Sequence, residues 1–439
     1  MTPGARLQAA IELLDAAADG TVPVDTVVDA YFKKRRYAGG GDRRAVQARV
    51  YDTLRRRARL DWWIARDGGG VKPTPRTQVI SDLVLTDKMP LETIEATFSG
   101  ERYNPKILSD AERELIRRLA GQSLNRDDMP EWVRLEYPEW LHPRLKALWG
   151  DNLAWEMTGL NQPAPLDLRA NTLKGPWETA HDMLAAEGID AQATPLSPWG
   201  LRVVGTARIG GTKAFRDGFI EVQDEGSQIV ALMTDARPGM TVVDFCAGAG
   251  GKTLALAAAM AEGGRVKGRL TACDVSAARV ARMGPRLKRA GANAVRQIVL
   301  DSESDKWVAK NEGWADRVLV DAPCSGTGTW RRDPLARWRL SEADLAQHRE
   351  RQGRILAAAA RLVKPGGRLI YATCSVLAEE NEDQILAFTE ANKNFRTLSV
   401  ERLWQETVGG PPPPEGGALR LSPATSGTDG FYIAVMART

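Results

Sequence analysis

The sequence predicts a mixed α/β protein of three parts: a helical front (1–148), a small α/β module (149–238) and a larger domain (239–439) built on a mainly parallel, doubly wound sheet. Three observations carry this reading. From Met240 onward, short apolar runs alternate with helix-length stretches, the pattern of strand–helix–strand crossovers that a parallel sheet requires. Ahead of residue 148, apolar residues such as Ala9, Leu13, Leu14, Val50, Leu54 and Leu60 recur at helix spacing with no strand alternation in competition. Finally, 439 residues exceed what a single core usually organises.

Taken in order, the front is helical throughout, interrupted by Gly68-Gly69-Gly70-Val71-Lys72-Pro73-Thr74-Pro75, which reads as a loop. In the module, strands are expected at 166–169, 201–204 and 219–222, with a helix at 177–187. In the large domain the expected strands are 241–245, 270–274, 297–300 and 317–321, with helices after Lys252 and Ser276. Ser341-Glu342-Ala343-Asp344 has the form of a capping box opening a long helix, stopped by Lys364-Pro365-Gly366-Gly367 before a strand at 368–373. The stretch 409–417, four prolines between glycines, reads as a mobile surface loop ahead of a last strand at 431–436.

The net charge is only +4, which permits a nucleic-acid partner without demanding one. Its distribution is uneven: the stretch 33–59 carries eleven Lys and Arg against Asp42 and Asp52, so a basic face is expected on the front domain. The four cysteines, Cys246, Cys273, Cys324 and Cys374, lack the close pairing of zinc sites, so free thiols, no metal and a reducing cytoplasm are expected. Glu12 and Asp15 precede any long apolar run, and 355–360 is too short to span a bilayer, so no membrane association is expected either.

In an open α/β sheet the ligand crevice lies beyond the carboxyl ends of the strands, where Asp244 to Lys252, Asp274, Asp301, Asp321 and Cys374 would gather. Gly248, Gly250 and Gly251 let a backbone approach a ligand closely, and Asp274 is placed to accept hydrogen bonds from ribose hydroxyls, which suits a nucleoside cofactor. A phosphate-binding loop fits poorly, because the glycine it needs five residues before Gly251 is Cys246. Cys324, in Asp321-Ala322-Pro323-Cys324-Ser325-Gly326-Thr327-Gly328, and Cys374, in Tyr371-Ala372-Thr373-Cys374-Ser375, each follow an apolar run. One thiolate attacking C6 of a pyrimidine, a second group assisting release, and an acid near N3 would together drive methyl transfer to C5. Cys246 and Cys273 have no such role left to fill and are expected to pack beside the cofactor.

These motifs resemble those of the Nop/Sun family of S-adenosyl-L-methionine-dependent RNA cytosine-C5 methyltransferases, most closely its RsmB-like (Fmu/Sun) bacterial ribosomal branch. The resemblance spans nearly the whole chain. It rests on Asp-Ala-Pro-Cys-Ser-Gly-Thr-Gly together with Thr-Cys-Ser and Glu379-Glu380-Asn381-Glu382, and extends to 168–174, 222–228 and Asp429-Gly430-Phe431. It implies a Rossmann-like class I methyltransferase domain and a NusB-like helical front that grips RNA. Cys374 is then the nucleophile and Cys324 the aid to product release, with Asp321 beside the target base and Lys252 close by. Cofactor contacts are implied for Cys246, Ala247, Gly248, Ala249, Gly250, Gly251, Lys252, Asp274, Arg279, Asp301 and Asp321. The family's loop usually has proline where this chain has Ala249, which loosens the turn and keeps the amides.

DNA cytosine methyltransferases place their nucleophile in a Pro-Cys motif, so by that analogy Cys324 would attack instead; Thr373-Cys374-Ser375 favours the RNA assignment. Arg331, Arg332, Arg337 and Arg339 are expected to hold phosphates near the reacting base, while Trp330 and Trp338, which could stack on it, are expected to pack, as tryptophan more often does. The expected reaction is 5-methylcytidine formation in small-subunit (16S) ribosomal RNA by a monomer. A transfer-RNA cytosine methyltransferase and an RNA-binding assembly factor are the alternatives.

Overall fold

A computed structural model describes residues 1–18, 22–410 and 417–439. The proline-rich stretch singled out above falls largely on residues outside that set. The described residues divide into two compact units, one made of Met1–Asn161 with Arg332–Leu340 and the other of Gln162–Arg331 with Ser341–Thr439.

The first unit is all-helical, consistent with a NusB-like domain. Its core collects Leu13, Val46, Val50, Leu60, Trp63, Val79, Leu83 and Leu115 from successive helices. The break after Gly68 ends at Thr74, whose hydroxyl caps the helix Pro75–Leu85 in a reciprocal box with Thr77. Where the sequence suggests a boundary at residue 148, this unit runs on to Asn161 and takes in a segment from far along the chain. Leu335 joins its core, and the fully buried guanidinium of Arg337 donates to the carbonyl of Glu136 at 2.7 Å and to Asn161 Oδ1 at 3.1 Å.

The second unit begins with a four-stranded antiparallel sheet of β1 (Asp167–Ala170), β2 (Ala191–Ala193), β3 (Gly200–Val203) and β4 (Ile220–Val222), in the order β2-β3-β1-β4. Asn171, just past β1, ties this module to the large domain: its amide donates to Gly218 O and to Ala290 O. The large sheet starts at β5 (Thr241–Asp244). After a short hairpin, β6 (Ala261–Glu262) and β7 (Arg265–Val266), it continues through β8 (Arg269–Asp274), β9 (Arg296–Val299), β10 (Ala315–Asp321), β11 (Val363–Thr373), β12 (Phe395–Thr397), β13 (Leu419–Leu421) and β14 (Phe431–Arg438). Its order is β12-β14-β11-β10-β5-β8-β9, with β13 also pairing β14; β9, β8, β5, β10 and β11 run parallel and β14 is antiparallel. Central strands are buried on both faces and read as continuous apolar runs, as in Val318, Leu319 and Val320.

The capping box at Ser341 and Asp344 opens the helix Glu342–Leu362 as the sequence suggests. The following strand starts earlier than expected, because Lys364-Pro365-Gly366-Gly367 is taken into β11 through an irregularity in its pairing with β10. Gly366 has φ +75°, and a Cβ on Gly367 would come within 3.0 Å of the carbonyls of Lys364 and Ala315, so these glycines make the bulge possible. Among the described residues no helix is long and apolar enough to cross a membrane.

Two stretches singled out in the sequence prove to be joined by one cation. Arg331, with a side chain 4% exposed, bonds the carboxylates of Asp224 and Asp429, both nearly buried. Removing a buried cation from between two carboxylates leaves uncompensated charge. Arg331→Met is therefore expected to cost about 3–5 kcal/mol in urea unfolding, and a loss under about 1 kcal/mol would contradict this account.

Candidate active site

β5 lies between β8 and β10: the chain leaves β5 for β8 and β9 on one side and returns to β10 on the other. The loops after β5 and β10 therefore diverge and leave a crevice at the carboxyl edge of the sheet. A cavity of about 520 Å³ occupies it, lined by Asp244 to Ala249, Gly251, Lys252, Asp274, Arg279, Asp321 to Cys324 and Cys374. Residues from five separate stretches thus share one wall.

The glycine loop is shaped by backbone hydrogen bonds. Ala247 N–H donates to Cys273 O at 2.9 Å, which latches the loop to β8. Gly248 N–H donates to Asp274 Oδ2 at 2.9 Å, while Asp274 Oδ1 accepts from Ser276 N–H at 2.8 Å. Gly250 has φ +86° and its missing Cβ would strike Met283 Cγ at 2.5 Å, so glycine is required there by both torsion and packing. Gly248 also has positive φ, but a Cβ on it would meet nothing within 4 Å. The bare backbone borders open space beside the Asp274 carboxylate, a wall that fits a ribose and the atoms attached to it.

Cys324 Sγ and Cys374 Sγ lie 3.5 Å apart, well beyond the roughly 2.05 Å of a disulfide. Both are free thiols. The hydrogen bond to Cys374, then burial, pushes the Cys324 thiol well above its ordinary range; the negative charge of Glu380 adds to the rise. Nearby, Lys252 Nζ donates to Asp321 Oδ2 at 2.7 Å. Burial works against the Lys252 ammonium, yet the Asp321 carboxylate outweighs it, and the net effect is a raised pKa. Cys246 and Cys273 are pushed up chiefly by burial, and both pack against the core behind the cavity.

Beneath the thiols lies a network that sequence reasoning did not assemble. The carboxylate of Glu380, fully buried, accepts from Ser325 N–H at 2.9 Å and from the Ser325 hydroxyl. Gln352 Nε2 donates both to Glu380 Oε1 and to Pro323 O, each at 2.9 Å. Asn381 accepts from Thr373 Oγ1 at 2.6 Å and donates from Nδ2 to Ser375 O at 2.9 Å. Glu380 and Asn381 were visible as a motif, but Gln352 carried no signal of its own. His348, Arg351 and Ile355 also line the cavity; their i, i+3, i+7 spacing on the long helix was the signal available for them.

Several expected residues are placed elsewhere. Asp301 is exposed and is not part of the cavity lining, where Leu300 and Glu303 stand instead. Arg331 and Arg337 are buried structural cations, and Arg339 donates to the carbonyls of Ala17 and Val22, so none of the three holds a phosphate beside the thiols. Trp330 is fully buried and Trp338 packs on the helical core, the packing roles expected of them. The basic run is also largely absorbed: Arg49 and Arg56 pair with Asp82, Arg59 with Glu136, and Arg35 with Glu12. Lys33, Lys34, Arg36 and Arg44 remain exposed.

Comparison with known proteins places these features. The family model described as 16S rRNA methyltransferase RsmB/F matches residues 231–437, and a ferredoxin-like domain model of RsmF/B-like methyltransferases matches 137–209. Over 339 residues the chain is 34% identical to ribosomal RNA small subunit methyltransferase B of Sodalis glossinidius, spanning 76% of this chain and 70% of that one. A solved structure, that of PH0851, covers 99% of each chain with a TM-score of 0.79 at 28% identity. A methyltransferase homologue from Pyrococcus horikoshii covers 70% of this chain and 97% of its own with a TM-score of 0.58, also at 28% identity.

Asp244 closes the floor of the cavity. Its Oδ2 accepts from Thr253 Oγ1 at 2.6 Å, and its Oδ1 has no hydrogen-bond partner. Burial, opposed by the Thr253 hydrogen bond, pushes its pKa up to about 7. A carboxyl raised in the folded state stabilises the fold most below its unfolded pKa, and that contribution is lost as pH climbs toward the folded value. The ligand-free Asp244→Asn protein is therefore expected to gain melting temperature over wild type at pH 8 but little at pH 4. An equal offset at both pH values would refute this.

Proposed function

The chain belongs to the family of ribosomal RNA small subunit methyltransferase B proteins, and from that membership we propose that it methylates C5 of a cytidine in 16S ribosomal RNA through a covalent enzyme–C6 adduct. The observation that carries the chemical detail is the pair of thiols 3.5 Å apart on the wall of a nucleoside-shaped cavity. S-Adenosyl-L-methionine is the cofactor, and when bound it supplies an electrophilic methyl group. Asp274 would hold its ribose hydroxyls and the 247–251 backbone would border its amino-acid end, with Arg279 on the same wall.

The C5 carbon of cytosine is too weak a nucleophile to take a methyl group unaided. Addition of a Cys374 thiolate to C6 would form a C6–S bond and push the C5–C6 π electrons toward N3, and the Lys252–Asp321 pair would lend N3 a proton and recover it when C5 takes the methyl group. C5 then has enamine character and can accept the methyl group. Afterwards C5 carries both hydrogen and methyl. Loss of that proton returns the electrons to the C5–C6 bond and expels the Cys374 thiolate.

Cys324 is suited to take that proton, directly or through water. In the resting site its proton is held chiefly by the neighbouring Cys374 sulfur. Once that sulfur is bonded to carbon it is a weaker acceptor, so the leading cause of the raised Cys324 pKa weakens with it. Released from that hold, the Cys324 thiol would give its own proton to water and, as thiolate, take the proton from C5. The target cytidine must be unpaired or turned out of its helix, because a stacked base hides C5 and C6. Exposed Lys33, Lys34 and Arg36 on the helical unit would supply phosphate contacts.

With S-adenosyl-L-methionine and substrate RNA, Cys374→Ala is expected to abolish methylation without forming an adduct. Cys324→Ala is expected to accumulate a covalent protein–RNA species that survives denaturing electrophoresis; an adduct from Cys374→Ala instead would reverse the two roles. Bisulfite sequencing of total RNA from a deletion strain and its parent tests the substrate. Loss of one 5-methylcytidine in 16S rRNA is expected, loss in tRNA would move the substrate there, and no loss would leave an assembly role.

A further inference from the structure

We propose that Glu380 and Asn381 are positioning residues that set the two active-site thiols against each other, Asn381 by fixing the turn of Cys374 and Glu380 by fixing the turn of Cys324 and placing a negative charge behind it that adds to the effect of Cys374. The proposal rests on the reading of Cys374 as nucleophile for its meaning, but its geometry stands independently.

The two cysteines are fifty positions apart and sit on the turns that follow neighbouring strands, β10 and β11. Sheet hydrogen bonding fixes those strands but stops short of the sulfurs: β10 and β11 pair as far as Asp321 and Ala372, and β11 pairs β14 as far as Thr373. Beyond them each turn needs its own tether. On the Cys324 side, Glu380 takes the N–H and hydroxyl of Ser325, and Gln352 bridges Glu380 to the carbonyl of Pro323, so both residues flanking Cys324 are held. On the Cys374 side, Asn381 takes the hydroxyl of Thr373 and gives its amide to the carbonyl of Ser375, so both residues flanking Cys374 are held as well. Because 380 and 381 are consecutive, one peptide bond links the two clamps. Any slide of one turn must pull on the other.

Glu380 differs from its neighbour in carrying charge where no cation forms an ion pair with it among the described residues. A buried carboxylate with only neutral donors carries a desolvation penalty, which amide and hydroxyl bonds offset in part. An amide would meet the same donors less well but would avoid that penalty, so the charge itself needs a use. The nearest use is electrostatic: a fixed negative charge behind Cys324 disfavours its thiolate. The other titratable groups around Cys324 are Cys374, Asp321 and Tyr371 on the strand ends, with Lys252 beside them and His348 and Arg351 across the cavity. Among the described residues none of these is bonded to the backbone next to Cys324 as Glu380 is.

The test uses the full-length chain without RNA or methyl donor, so it is independent of the substrate reading. Iodoacetamide alkylation of Cys324 and Cys374 is followed by peptide mass spectrometry from pH 6 to 10 in wild type, Glu380→Gln and Glu380→Asp, with melting curves alongside. Glu380→Gln is expected to move the Cys324 profile to lower pH and raise its alkylation at pH 8, while Glu380→Asp, which keeps the charge, leaves the Cys324 profile near wild type. An unmoved Cys324 profile in a folded Gln variant would overturn the proposal. Should the Gln variant fail to fold, the Asp variant decides, since a Cys324 profile that shifts down with the charge retained would overturn it equally. Inactivity of both variants in methylation with unmoved profiles would leave the proposed function standing and remove only this role for Glu380.

Discussion

Two sulfur atoms fifty residues apart in sequence are held 3.5 Å from each other without a disulfide, and the rest of the second unit is arranged so that this remains so. The separation is set by the adjacency of β10 and β11, two parallel strands buried on both faces. Parallel neighbours bring the ends of both strands to the same edge, so the two turns emerge side by side, whereas antiparallel pairing would send them to opposite edges. The crossover helix Glu342–Leu362 is what makes the parallel pairing possible, and the same helix contributes Gln352, His348 and Arg351 to the site it creates. Scaffold and site are therefore not separable parts of this domain.

Around that pair, charge is handled by two different means. Away from the cavity, buried cations and anions are matched directly, as in Arg331 with Asp224 and Asp429 or Arg59 with Glu136. At the cavity the match is incomplete. Asp244 carries an oxygen without a hydrogen-bond partner, Glu380 is held by neutral donors, and Lys252 has a strong hold on Asp321 alone. Such arrangements raise the free energy of the folded protein and are retained where chemistry uses them.

Much of the catalytic domain could be read from residues alone, because buried parallel strands announce themselves as apolar runs and the turns after them carry glycine, proline and cysteine in a distinctive order. The glycine loop, Asp274, Asp321, Lys252 and both thiols fall on one cavity, as their positions after strands imply. What sequence could not supply was partnership at long range. Arg331, Arg337 and Arg339 look like a basic patch beside the active-site loop, and nothing local reveals that two of them are enclosed by acceptors some 100 to 200 positions away. Asp301 satisfies the rule of an acid after a strand, yet its stretch presents Leu300 and Glu303 to the cavity. The early start of β11 was hidden because proline and two glycines read as a stop, while a bulge makes room for them.

The nine residues Arg332–Leu340 belong to the helical unit although the chain on both sides of them belongs to the other. The front domain is therefore not a cassette. Recombination that exchanged residues 1–161 for another helical domain would bring in a core never shaped to receive Leu335 and an Asn161 position never selected to face Arg337, so the two stretches are bound to change together. The helical unit and the loop that leads out of the Asp-Ala-Pro-Cys turn thus share one hydrophobic core, and they are inherited as a single piece.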